Sequence, residues 1–424
     1  MTILNRFRHD TLAVFIAGGV VATVSLASSP GELDLQEALS LAGRNNKLLE
    51  AARIRIEEAR GDLATASILL IDNPSVGFQG GRRSNDMPAS RDSTDLGIEL
   101  EQTFEIGGQR GYRIRRAEAV LAAEEAAADE VQRVLELAVE SVFWEALAAD
   151  KRVALVEESR SLSQVLYETA RRRLERGETT PLEQNTARVR LAEVERKLAS
   201  ANARRRSATL RLAELLALPP ATSLAVRDDF PQTETLESES ALVAQALASR
   251  PDFMTLQRRI AAAEQAAGLA KAETVPDLTF GVSYEEEEDD QILLAGVRVA
   301  LPVFNRNQGE RQRTEALVRR LQAELDATTL AIESEVRRAY SDYEQAKQSV
   351  HLYDSEVLQA QEESLGLLQM AFEAGEVGYP EVILVQREVL DSREGYLSAR
   401  LEFALAHARL RAASQQPQVN AEQE

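Results

Sequence analysis

The chain has 424 residues, a formal net charge of −20 and no cysteine. The missing thiol excludes disulfide bonds, thiolate metal sites and a cysteine nucleophile. The acidic balance has the wrong sign for a protein that neutralises nucleic-acid phosphates, so no nucleic-acid partner is expected.

The N-terminal segment has the form of a secretory signal. Arg6 and Arg8 precede an apolar run, and Ser25-Leu26-Ala27 offers small residues at the cleavage positions. The run is shorter than the roughly 20 apolar residues of a membrane-spanning helix. We therefore expect residues 1–27 to be a signal peptide that is removed. No later segment is apolar enough to span a membrane as a helix, so a membrane location would require strands.

Three motifs recur in the same order at a spacing of about 200 residues. They begin at Pro74 and Pro276, at Phe104 and Phe304, and at Leu174 and Phe372. This spacing is too long for a solenoid unit and indicates duplication of a half-molecule. We assign repeat 1 to 28–217, a connector to 218–239, repeat 2 to 240–414 and a flexible tail to 415–424.

The sequence pattern of each repeat predicts a helix, a β-hairpin and two long helices, in that order. Apolar and polar residues alternate at about 75–104 and about 277–301, which predicts two hairpins and four strands. The preceding helices are expected to stop at Pro74 and Pro276, because proline disfavours helix in the residue before it.

The long helices are predicted at about 109–217 and about 308–413. From Gln109 to Leu174, apolar residues recur mostly at steps of three and four, as in a coiled-coil seam. A helix of this size is on the order of 100 Å long. The stretch from Arg311 to Ala374 is expected to match it. The fold class is therefore mixed and mainly α.

Four strands cannot close a barrel, because the smallest filled barrels need about eight. An open sheet in lipid would leave the backbone groups of its edges unpaired. Three chains would supply twelve strands, which is enough for a lumen. Glu99, Glu101 and Arg298, on the polar side of their strands, would then line water.

The segment Leu301-Pro302-Val303-Phe304-Asn305-Arg306-Asn307-Gln308-Gly309, together with Glu105-Ile106-Gly107-Gly108-Gln109-Arg110, resembles the strand-to-helix junctions of the outer-membrane factor (TolC) family. The resemblance is to its heavy-metal cation efflux (CzcC-type) branch. It implies a homotrimer in outer-membrane lipid, with a twelve-stranded β-barrel and an α-helical barrel in the periplasm. It also implies a periplasmic adaptor and an inner-membrane pump of the RND type as partners.

Two sets of residues are candidate functional sites. By the resemblance, the glycine breaks between the long helices form the periplasmic gate and adaptor contact; their residues are Leu174, Gly177, Glu178, Thr179, Phe372, Gly375, Glu376, Val377 and Gly378. The second set is an acidic turn at the outer mouth, formed by Glu285, Glu286, Glu287, Glu288, Asp289 and Asp290, which would raise the local cation concentration. A solvated hairpin tip is the plainer interpretation of that run.

No catalytic constellation, metal site or cofactor site is expected. His9, His351 and His407 are the only histidines, and none has a partner nearby in the sequence. The function indicated is a passive exit duct for heavy-metal cations. The alternatives are a type I secretion duct, a drug-efflux duct, or a periplasmic coiled-coil adaptor or scaffold.

Overall fold

The computed structural model describes residues 32–83, 93–220, 222, 224–234, 236–287, 290–353 and 355–415. The expected signal peptide at 1–27 and the tail after 415 lie outside these ranges. In chain order the described elements are β1 (Glu32–Leu33), α1 (Leu35–Asn45), α2 (Lys47–Ala66), β2 (Ser75–Arg83), β3 (Ser93–Phe104), α3 (Gln109–Glu175), α4 (Pro181–Leu215), β4 (Ala225–Val226), α5 (Glu239–Ser249), α6 (Pro251–Ala272), β5 (Leu278–Glu287), β6 (Asp290–Val299), α7 (Gln308–Leu352), α8 (Ser355–Ala374) and α9 (Tyr379–Ser414). Within those ranges, no helix is long and apolar enough to cross a membrane.

The long helices pack side by side. Helix α3 has 67 residues, which makes it about 100 Å long. It packs against α2, α4, α6 and α9, and α9 in turn packs against α7 and α8. The layer therefore runs α4–α3–α9, with α7 and α8 following one another along the far side of α9.

Matching junctions lead from the sheet into α3 and α7. The residue before each helix, Gly108 or Asn307, has a left-handed backbone with φ of 78° and 56° respectively. The Asn307 side chain donates to the carbonyl of Ala270 at 3.0 Å. At Gly107 an added Cβ would lie 2.7 Å from the carbonyl oxygen of Ala272, so only glycine fits the close approach to α6.

Two expectations about helix ends are wrong. Helices α2 and α6 end at Ala66 and Ala272, well before Pro74 and Pro276. Just beyond the end of α2, the guanidinium of Arg110 donates to the carbonyls of Ser67 and Ile68 at 2.8 and 3.3 Å, which satisfies two carbonyls that a continuing helix would have paired.

The stretch from Arg311 to Ala374 is also not one helix. Helix α7 ends at Leu352, and Tyr353 has a non-helical backbone with ψ of 72°. A Cβ on Gly395 of α9 would lie 2.4 Å from the Tyr353 hydroxyl, so this ring occupies space that only glycine leaves open. The contact between Tyr353 and α9 replaces the helical continuation that the local sequence favours.

The two hairpins join into one antiparallel sheet in the order β2–β3–β5–β6. Val76 lies opposite Leu100, Leu100 opposite Val282, and Val282 opposite Ala295. The register therefore places apolar residues of all four strands on one face. Strands β2 and β6 are the outer strands. A separate parallel pair, β1 and β4, ties the first described residues to the connector between the repeats.

The buried core consists mainly of Ala, Leu and Val side chains between the helices, with a few aromatic rings. One cluster surrounds Phe143 and Trp144, and a second surrounds Tyr343 and Phe403. A buried ion pair crosses from α3 to α9, where Arg411 binds Glu140. Burial raises the pKa of the Glu140 carboxyl, and Arg411 opposes that rise. The pair fixes the relative position of two helices that belong to different repeats.

Candidate functional site: an amphipathic sheet and two helical tips

The sheet has one apolar face that no part of the described chain covers. Phe78 is 79% exposed and Leu293 is 72% exposed, although both would be core residues in a soluble domain. The same face carries further exposed apolar residues: Val76, Leu96, Ile98, Leu100, Phe104, Phe280, Val282, Tyr284, Val297 and Val299. An exposed apolar patch of this extent marks a surface that meets a partner or lipid.

The opposite face is polar, and the three predicted lumen residues lie on it. Glu99 pairs with Ser283, Glu101 with Gly281, and Arg298 with Thr279. The structure also brings Arg298 and Glu101 together, with Nη1 of Arg298 2.7 Å from Oε1 of Glu101. Sequence reasoning did not find this ion pair, which neutralises one of the two carboxylates.

The acidic run is not the six-residue turn that the sequence suggests. Glu285, Glu286 and Glu287 belong to β5, and Asp290 begins β6. Strand pairing continues to the end of the run, with Glu285 opposite Ile292 and Glu286 opposite Gln291. Two of the three carboxylates on β5 therefore face uncharged cross-strand neighbours, and only Glu287 lies opposite another acidic residue, Asp290. Glu288 and Asp289 lie outside the described residues.

The two glycine breaks adopt the same type of turn. Gly177 and Gly375 have φ of 75° and 81°. The amide of Glu178 donates to the carbonyl of Arg173 and that of Gly177 to Leu174, both at 2.9 Å. Gly375 and Glu376 repeat this pattern with Phe372 and Ala371. Both turns are Schellman motifs, in which a left-handed glycine ends the helix.

The two tips pack against each other. A buried cluster contains residues of both: Leu166, Ala170, Ala187, Phe372, Tyr379 and Val382. The Arg173 guanidinium lies over the Phe372 ring at 5.2 Å. Glu183 accepts a hydrogen bond from the Tyr379 amide at 3.3 Å, and the Thr179 hydroxyl donates to the same carboxylate. The turns therefore stand at one level along the helices.

Of the predicted tip residues, Phe372 is buried in this cluster and Val377 packs against it. Leu174 supplies a turn carbonyl, and Gly378 is the N-cap of α9. Glu178 and Glu376 are exposed. Sequence reasoning missed Arg173, Glu183 and Tyr379, although Glu183 and Tyr379 flank the prolines that begin the return helices.

Burial raises the pKa of Tyr379, so its phenol is neutral throughout the physiological range. Its hydroxyl has no hydrogen-bond partner among the described residues, and neither do Nε and Nη2 of the buried Arg190. The tip core therefore holds unsatisfied polar groups, which lower the cost of rearranging it. In the described ranges, no group of three or more His, Cys, Asp and Glu side chains could hold a metal ion.

A sheet with an exposed apolar face and a polar face, at one end of helices about 100 Å long, is the arrangement expected of a membrane channel protein. Residues 38–218 and 242–415 match the family model "Outer membrane efflux protein". The chain belongs to this family, whose members are outer-membrane channels and not enzymes. The resemblance in the sequence is thereby confirmed, and the adaptor or scaffold alternative is excluded.

The names of individual relatives refer to different transported substances. The cobalt-zinc-cadmium resistance protein CzcC of Cupriavidus metallidurans is 29% identical over 380 residues, covering 87% of this chain and 86% of the relative. The pyoverdine export outer membrane protein OpmQ of Pseudomonas putida is 24% identical over 386 residues, covering 87% and 81%. The solved structure of CusC has the same fold, with a TM-score of 0.72, 18% identity and coverage of 92% and 95%.

Proposed function

We propose that three copies of this chain form the outer-membrane exit duct of a tripartite efflux system for heavy-metal cations. The observation that carries the proposal is the uncovered apolar face of a four-stranded sheet with two open edges, β2 and β6. Lipid would cover the face, and only pairing of β2 with β6 of the next copy would satisfy both edges. Three sheets then give a barrel of twelve strands.

The long helices extend from this barrel into the periplasm, and the two tips lie at their far end. There the glycine turns and their exposed carboxylates, Glu178 and Glu376, would meet the periplasmic adaptor. An inner-membrane pump of the RND type would feed the duct through that adaptor. The duct itself is passive. Glu99, Glu285 and the Glu101–Arg298 pair would line its outer section.

Cation cargo is favoured by the likeness to CzcC and by the excess of carboxylates on the polar face of the sheet. Pyoverdine export is a second candidate because OpmQ also matches most of the chain. A gene deletion separates the two. We expect cells without the chain to accumulate cobalt, zinc or cadmium and to regain export when the gene is restored. A deletion strain that exports these cations normally but retains a siderophore would favour the second candidate.

The channel itself is tested with purified protein. We expect a detergent-stable trimer that gives discrete conductance steps in planar lipid bilayers. A monodisperse monomer that conducts, or a trimer without conductance, would contradict the proposal.

A further inference from the structure

A cavity of about 550 Å³ lies between α3, α4 and α9. Arg152 and Val156 of α3 contribute to its lining, and the rest comes from α4 and α9. Arg152 lies about 35 Å from Glu175, the last residue of α3, at 1.5 Å per residue. Sites for small molecules commonly have volumes of about 300–1,000 Å³. The cavity therefore has the size of a small-molecule site, and it is separate from the sheet and from the tips.

The charge of the lining is opposite to that of the whole protein. Four basic and two acidic residues line the cavity: Arg152, Arg196, Lys197, Arg204, Asp391 and Glu394. Their balance is +2, whereas the whole chain is at −20. A positive cavity on an acidic protein raises the local concentration of anions, which the rest of the surface repels. This sign is wrong for the proposed cation cargo, so the cavity is not a binding site along the cation path.

The two carboxylates of the lining are matched by lysine and by an arginine outside the cavity. Nζ of Lys197 lies 3.6 Å from Oδ1 of Asp391 and 3.8 Å from Oε1 of Glu394. Nε of Arg387 lies 3.9 Å from the other carboxylate oxygen of Asp391. The two acidic side chains therefore leave the positive charge of the three arginines in the lining uncompensated.

These arginines have no carboxylate partner in the part of the chain that the structure describes. Arg152 is half-buried, and its Nη2 donates to the neutral hydroxyl of Ser398 at 3.1 Å. Arg196 and Arg204 are exposed. Carboxylates close to them in the sequence pair with other bases, as in Glu195–Arg160, Asp150–Arg205 and Glu158–Arg393. Because a half-buried charge without a counter-charge is unfavourable, a bound anion would stabilise Arg152.

The spacing of the arginines favours a ligand with several acidic groups. Arg196, Ser200 and Arg204 follow one another at steps of four, so they lie along one face of α4. The Cα atoms of the two arginines are about 12 Å apart at 1.5 Å per residue, and Arg152 lines the cavity from α3. A guanidinium binds a phosphate or carboxylate through two parallel hydrogen bonds. Three guanidiniums on two helices therefore suit an extended anion better than a single small ion.

We propose that this cavity binds a small polyanion, a molecule with two or more phosphate or carboxylate groups. Arg152, Arg196 and Arg204 bind its acidic groups, and the hydroxyl of Ser200 donates a further hydrogen bond. The bound ligand would connect α3 with α4 across the cavity. The proposal goes beyond the exit duct and does not depend on the trimer.

Isothermal titration calorimetry with the purified full chain tests the proposal, at about 0.15 M salt and without divalent cations. The probes are tripolyphosphate, citrate and orthophosphate. We expect tripolyphosphate or citrate to bind at least tenfold more tightly than orthophosphate, and the tighter of the two identifies the preferred acidic group. If neither binds more tightly than orthophosphate, the proposal is wrong.

Matched variants of α4 assign the binding to the cavity. Arg204→Gln should weaken binding of the tighter probe about tenfold, as expected for the loss of a charge-assisted contact. Arg188→Gln is the control, because Arg188 is equally an exposed arginine of α4 but lies about 24 Å from Arg204 along the helix, well beyond the Debye length of about 8 Å. It should leave the affinity unchanged. Equal losses in both variants would show non-specific attraction and overturn the site.

A variant with the opposite sign excludes a folding defect as the explanation. Glu394→Gln removes one of the carboxylates that compete for Lys197, so it should tighten binding about threefold. A misfolded protein would not gain affinity. Weaker binding in this variant would contradict the charge argument. Conductance without polyanion binding would overturn this proposal alone, whereas binding by a chain that forms no channel would contradict only the proposed function.

Discussion

The tip glycines allow a sharp test of the turns that connect the long helices. Gly177 has φ of 75° and Gly375 has φ of 81°. An L-residue with a Cβ is about 1–2 kcal/mol less stable in this left-handed region. At Gly177 an added Cβ would have no atom within 4 Å. The strain of Gly177→Val is therefore a backbone effect, without a steric collision.

We expect Gly177→Val and Gly375→Val each to destabilise the tip by about 1–2 kcal/mol or more, since valine is β-branched. The Schellman hydrogen bonds of that turn should loosen, and the shared tip core with them. The sheet lies at the other end of α3, about 100 Å away, so the proposed trimer should persist. Under the proposed function, efflux should be lost in cells, because the tips would no longer hold the geometry that an adaptor would meet.

The assay combines amide hydrogen exchange at the tips, gel analysis of the trimer and metal resistance in cells. Gly61→Ala is the matched control: this glycine lies inside α2, with open space around it. There alanine should stabilise the helix by about 1 kcal/mol. Gly177→Asn should be milder than Gly177→Val, because asparagine tolerates the left-handed region. Wild-type exchange and resistance in both valine variants would refute the reasoning.

Three further outcomes follow from single groups. Arg411→Met leaves Glu140 buried without its partner and should lower the free energy of unfolding by roughly 3–5 kcal/mol in thermal or denaturant unfolding. The double variant that also carries Glu140→Leu should recover most of this stability, and a wild-type melting curve for the single variant would contradict the prediction. Burial and then Arg411 lower the pKa of His407, opposed by Glu234. The folded state thus favours neutral imidazole, so stability should be full above about pH 6.5 and fall as the pH drops below it. His407→Gln should flatten that slope in melts at several pH values, and an unchanged slope would assign it to other groups. Neutralising Glu285–Asp290 should weaken a modest, salt-sensitive cation preference in bilayer reversal potentials; anion preference in the wild type would refute the charge argument.

Several features of the fold could be predicted from local sequence because they depend on short-range rules. Period-two alternation located both hairpins and assigned Glu99, Glu101 and Arg298 to one face, since side chains of a strand alternate strictly. A glycine a few residues before the proline of each return helix predicted the position of both turns. The left-handed φ of Gly177 and Gly375 agrees with that interpretation.

The features that sequence reasoning missed depend on residues far apart in the chain. Helix α7 ends just before Tyr353, whose ring contacts Gly395 of α9. No proline or glycine next to Tyr353 in the sequence indicates this helix end. Arg411 and Glu140 are 271 positions apart. The acidic run has the composition of a loop, yet Glu285, Glu286 and Glu287 remain in the sheet, paired with Ile292, Gln291 and Asp290 of β6. In each case a tertiary contact outweighs the local preference.

The two ends of the proposed trimer would be held by forces of different strength. At the sheet, the edge strands β2 and β6 have nine and ten residues, and an unpaired backbone group in lipid costs several kcal/mol. At the tips, a neighbouring copy would meet a few exposed apolar side chains, such as Leu182, Leu367 and Met370, and charges that salt screens. In the proposed trimer the barrel end would therefore stay closed, whereas the tips of neighbouring copies would separate at small cost. An adaptor that binds the tips could open the helical end without dissociating the trimer, because the energy that keeps the three copies together lies at the opposite end of α3.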